Sequence, residues 1–123
     1  MQKILIISAI SGFLAVAFGA FGAHALKGVL SPEMHTIYEK AVIYQMFHAL
    51  AMLACGVLLF HFPAIKSFGV AAYLFFAGIV IFSGSLYGYS ISGVIAYALV
   101  TPIGGLCFLA GWVLLGVSAF KIK

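Results

Sequence analysis

The stretch FGVAAYLFFAGIVIFSGSLYGY, residues 68–89, contains no charged residue. At 1.5 Å of rise per residue, a helix of this length crosses the roughly 30 Å hydrocarbon core of a bilayer. Lipid offers the backbone no hydrogen-bond partner, so the chain must satisfy its own N–H and C=O groups, and a helix does so within one segment. Working outward, three further stretches have the same character: residues 4–25, 41–60 and 94–120. The chain is 66% hydrophobic and 7% charged, against about 25% charged in ordinary soluble domains. The expected fold is therefore all-α: a four-helix transmembrane bundle forming a single integral membrane domain over residues 1–123. The connections at residues 61–67, with Pro63 and Lys66, and 90–93 are short enough to force antiparallel neighbours in an up-and-down order.

Charge placement gives an orientation and excludes a class of partner. Six lysines, no arginine and two glutamates give a net charge of +4. The lysines are scattered singly, which fits interfacial anchors and not a nucleic-acid surface. Lys3, Lys66, Lys121 and Lys123 fall on one side of the membrane, and Lys27 and Lys40 on the other with Glu33 and Glu39. The positive-inside rule then places both termini in the cytoplasm, with the plasma membrane as the expected location. The N-terminal stretch, with Lys3 and an A-x-A pattern at Ala23-His24-Ala25, imitates a signal peptide. It is longer than the usual apolar region of one and carries Gly12, Gly19 and Gly22, so it reads as a retained first span. Cys55 and Cys107 lie in apolar stretches without a metal or redox spacing and read as packing residues.

The only polar segment of any length joins the first two spans. Ser31-Pro32-Glu33 is a helix start, with serine as N-cap, proline at the first helical position and an acid at the positive dipole end. Met34, Ile37, Tyr38 and Ala41 follow at helical spacing, so residues 32–40 read as a short amphipathic helix. It either lies on the interface or runs straight into the second span.

Polar residues within the spans converge on one depth. Gln45 and His48 in the second span, Ser83 and Ser85 in the third and Thr101 in the fourth fall roughly 6–12 Å below the outer edge. His24 and Tyr87 lie just above that layer, and the inner half has no matching set. Tyr44, Gln45 and His48 share a helix face. An intramembrane histidine raises a functional hypothesis, and its titration range suits a proton relay. The competing interpretation is that Gln45 and His48 bond to Ser83, Tyr87 or Thr101 and hold the helices together. No metal site is expected, because His24 and His48 have no carboxylate or thiolate at their depth. No cofactor is expected either.

Small residues supply the remaining pattern. Ala15, Gly19 and Ala23, Gly84 and Gly88, and Gly111 and Gly116 keep helix faces narrow enough for close approach. Pro102, followed by Gly104 and Gly105, is expected to kink or locally unwind the fourth helix, exposing backbone groups of the kind transporters use for ligands.

The segments Gly19-Ala-Phe-Gly-Ala-His24-Ala-Leu-Lys27, Tyr44-Gln-Met-Phe-His48, Phe82-Ser-Gly-Ser-Leu-Tyr87 and Thr101-Pro-Ile-Gly-Gly105, with Gly111-Trp112, carry a resemblance. In that order, and over essentially the whole chain, the sequence resembles the YgdD/YwdK family of small inner-membrane proteins. One departure is Tyr38, where that family leads one to expect tryptophan. The resemblance implies a four-span integral membrane protein, and implies no reaction, substrate or cofactor.

Two function classes follow from the residues. The first is a non-enzymatic membrane module that binds a lipid or another membrane protein, as a homo-oligomer whose small-residue faces meet partners. The second is a carrier or channel subunit for protons or a small solute, using His48, Gln45 and the Thr101–Gly105 segment. An enzyme acting on lipid or quinone would need an acid–base pair that the spans lack.

Overall fold

The computed structural model describes residues 1–123, and every apolar stretch is a helix. Helix α1 runs over Gln2–His24, α2 over Pro32–His61, α3 over Ser67–Ser92 and α4 over Ile95–Ala119, each long and apolar enough to span a membrane. The protein is a multi-pass membrane protein with an all-α, up-and-down fold.

Of the two courses open to the amphipathic turns, the chain takes the continuous one. α2 begins at Pro32 and runs unbroken into the second span. Ser31 Oγ caps it by accepting from Met34 N at 3.2 Å, which satisfies one of the orphan amides of the first turn. Tyr38 and Ala41 are buried on the inward face of these turns, while Glu33, Glu39 and Lys40 stay exposed. The α3–α4 link closes on Gly93, whose φ of +69° places it in the left-handed region and whose N–H returns to Tyr89 O. That conformation strains any residue with a Cβ and ends helices cheaply at glycine.

The local unwinding expected in the fourth helix is absent. α4 is continuous through Pro102, and the irregularity lies opposite it, in α3. α3 is α-helical over Ser67–Gly78, passes through a π turn at Ile79–Ser83 and resumes over Gly84–Ser92. Gly104 explains the pairing, because a Cβ there would run into the backbone nitrogen and Cα of Phe82 within the π turn. The two glycines after Pro102 therefore bring α4 onto α3 and do not open α4. A Cβ at Gly105 would sit 3.9 Å from the Phe82 ring, an ordinary contact.

α2 and α3 form the centre. α1 packs on α2, α4 packs on α3, and α1 and α4 do not pack on each other. Small residues set the approach of the central pair: Ala49, Cys55, Ala71 and Ala72 are buried with Met52 and Phe75 between them. On the α3–α4 side two aromatic rings interlock. A Cβ at Gly111 would meet the Phe75 ring at 2.7 Å, and one at Gly78 would collide with the Phe108 ring. Each glycine makes the recess the opposite ring fills, which is how helices associate where lipid removes the hydrophobic driving force. Not every small residue serves this purpose: a Cβ at Gly84 or Gly116 would meet open space.

Candidate functional site

The polar residues expected at one depth resolve into separate hydrogen-bonded groups. The first joins three helices at Gln45, which is 4% exposed. Its Nε2 donates to Ser11 O on α1 at 2.9 Å, and its Oε1 accepts from Tyr87 Oη on α3 at 2.7 Å. Tyr87 also meets Phe18 and Tyr38 edge-on, with ring centroids 5.2 Å apart in both pairs. Tyr38 donates to Phe18 O at 2.6 Å, and its ring lies where a Cβ on Gly22 would stand. In a second group, Ser83 donates to Ala41 O at 2.8 Å and ties α3 to α2.

A third group sits beside the π turn. Ser85 donates to Phe82 O at 2.8 Å, and the Ser85 and Thr101 hydroxyls lie 2.6 Å apart. With the Ser85 proton directed to the carbonyl, Thr101 is the donor between them. This bond links α3 to α4 one residue before Pro102.

His48 belongs to a fourth group. Its Nδ1 lies 2.8 Å from Tyr44 O, and its Nε2 lies 3.2 Å from the Trp112 indole nitrogen. A carbonyl oxygen only accepts and an indole N–H only donates. The two partners therefore fix the imidazole as the neutral tautomer with the proton on Nδ1. The ring is 5% exposed and lies flat on Phe108, with centroids 3.5 Å apart and 8° between planes.

Not all of the residues read from the sequence meet. Gln45 and Tyr87 bond directly, Ser85 meets Thr101, and His48 bonds none of them. His24 is exposed at the end of α1 and takes no part in these groups. The inner half is also less bare than expected, since Ser118 and Ser67 pair at 2.6 Å and Ser8 donates to Ile4 O. Every buried side-chain polar atom has a partner within the chain. No three His, Cys, Asp or Glu side chains converge.

Nothing in the sequence marks Ser11, Tyr38, Phe108 or Trp112 as partners directly. The missing signal is register. α2 starts at Pro32 and not near residue 41, so His48, sixteen residues after Pro32, stands level with Trp112, seventeen residues after Ile95. Ser8, Ser11 and Ala15, all buried on one face of α1, were the readable hint for Ser11.

Side chains alone join α2 to α4, and beside the His48–Trp112 bond they leave a cleft of about 450 Å³. Tyr44, Phe82 and Trp112 line it with His48, and Pro102, Gly105 and Leu106 form the α4 side. No charged residue contributes to its walls.

Comparison with known proteins agrees with this architecture. The chain matches the family described as "Protein of unknown function (DUF423)" over residues 18–105. It is 42% identical to the UPF0382 membrane protein of Staphylococcus aureus strain bovine RF122, over 98% of each chain. It is 39% identical to the UPF0382 membrane protein YwdK of Bacillus subtilis, again over 98% of each. No solved structure matches. With identity at this level over nearly the full length, the chain belongs to the DUF423 family of YwdK-like membrane proteins, whose function is unknown.

Proposed function

We propose that the protein is a non-enzymatic membrane module that holds a lipid in the outer half of the bilayer. It resides in the plasma membrane with both termini in the cytoplasm. The observation that supports this is the α2–α4 cleft of about 450 Å³, a volume within the range of small-molecule sites. It opens at membrane depth and is walled by aromatic and aliphatic groups. The orientation is supported by the lysines, since Lys3, Lys66, Lys121 and Lys123 all sit at the end that carries the termini.

The carrier alternative rests on His48. A relay residue must exchange its proton with water or with a neighbouring acid or base. Both ring nitrogens of His48 are engaged, by Tyr44 O and by an indole that offers no acceptor. The geometry favours a holding role for this residue.

Native mass spectrometry of the protein released from mild detergent tests the lipid reading. The wild type is expected to retain a discrete mass in the lipid range, and Gly105→Leu, which fills the cleft, to lose it. The same spectrum counts the copies of the chain. A wild-type protein that flies bare, whatever its copy number, would overturn the lipid reading.

A further inference from the structure

We propose that the α2–α4 cleft is a site for an isoprenoid-quinone-type lipid, one with a flat, uncharged, carbonyl-bearing ring and an apolar tail. This rests on the lipid-binding reading above and names its ligand. Three features of the cleft select that chemistry.

The first is shape. Tyr44 and Phe82 stack with centroids 4.5 Å apart and 30° between planes, and they present an aromatic wall to the cleft. Trp112, 39% exposed, forms the wall opposite on α4. Aromatic side chains contributed by α2, α3 and α4 suit a planar ring better than a branched or globular headgroup.

The second is hydrogen bonding. Of the tyrosines around the outer layer, Tyr38 and Tyr87 donate within the chain. Tyr44 makes no side-chain hydrogen bond, is 41% exposed and borders the cleft. A phenol without an acceptor at membrane depth is costly, and a ligand carbonyl removes that cost. Trp112 is already committed to His48, so Tyr44 is the free donor.

The third is charge. A phospholipid headgroup brings a phosphate, which lysine or arginine would be needed to receive. The cleft has neither, and an uncharged ring asks for neither. Gly105, Leu106 and Leu109 on α4 give the cleft an apolar side for a tail.

Trp112 is the only tryptophan in the chain, so the cleft carries its own reporter. The experiment is fluorescence titration of the full-length protein in phosphatidylcholine vesicles with a decyl-substituted benzoquinone. Quenching that saturates, with Tyr44→Phe weakening the apparent affinity about fivefold, is the expected result for one neutral hydrogen bond. Gly105→Leu should abolish the saturable part, and an unchanged helical spectrum shows that both variants fold. Linear quenching, equal in wild type and Tyr44→Phe, is collision with dissolved quinone and overturns the inference. A parallel arm uses phosphatidylcholine brominated on its acyl chains. If the quinone arm is linear but Gly105→Leu relieves quenching by brominated chains, an acyl tail fills the cleft and only the quinone assignment fails. If neither arm responds to Gly105→Leu, the lipid-binding reading fails with it.

Discussion

Replacing Gly104 by alanine should destabilise the folded protein by about 1–3 kcal/mol, the usual cost of overpacking a tight contact. The same change at Gly105 should leave stability unchanged or raise it by up to about 1 kcal/mol, since alanine is the better helix former. The two residues are adjacent on one helix, so depth and the nearby proline are nearly the same for both. They differ in what a Cβ would meet. At Gly104 it meets the backbone of Phe82, which cannot rotate away, and at Gly105 it meets a ring face at 3.9 Å. Unfolding in mixed detergent–denaturant micelles measures both variants. Equal effects at the two positions would mean that α4 does not seat on the π turn of α3.

Gln45→Leu should cost about 2–4 kcal/mol. Two interhelical bonds are lost, each contributing about 0.6 kcal/mol on average within a membrane. The Tyr87 hydroxyl is also left without its acceptor, which adds about 1–3 kcal/mol if it finds no other. That second contribution vanishes when Tyr87 is phenylalanine. The double variant Gln45→Leu, Tyr87→Phe should therefore be less destabilised than the sum of the single changes by about 1 kcal/mol, a coupling typical of residues in contact. Additivity within a few tenths would show that the Gln45–Tyr87 bond contributes nothing.

These two sites also show what could be read in the sequence. The spans were legible because uncharged stretches such as residues 68–89 leave the backbone no alternative to a helix in lipid. The start of α2 was legible in Ser31 and Pro32, whose local chemistry acts within one turn. Tyr87 was legible as one of three candidate partners of Gln45, beside Ser83 and Thr101, because all are polar and lie at or near its depth. The connection of His48 to Trp112 was not, because depth counted from residue 41 leaves out the about two and a half turns that α2 makes from Pro32 onward.

Pro102 misled for a different reason. A proline removes one amide, but in a tightly packed membrane helix neighbouring helices and hydroxyl side chains compensate. Thr101 and Ser85 stand beside it, and Gly104 holds α4 against Phe82. The π turn at Ile79–Ser83 has no proline or glycine within it, and its local marks are the flanking Gly78 and Gly84.

On this reading the polar residues within the spans hold the helices together and move no charge. Proton flux into vesicles carrying the reconstituted protein, read by an internal pH dye under an imposed pH gradient, tests it most directly. The expected rate equals that of protein-free vesicles, for the wild type and for His48→Gln alike. A saturable flux present in the wild type and absent in His48→Gln would contradict the account and make His48 a relay.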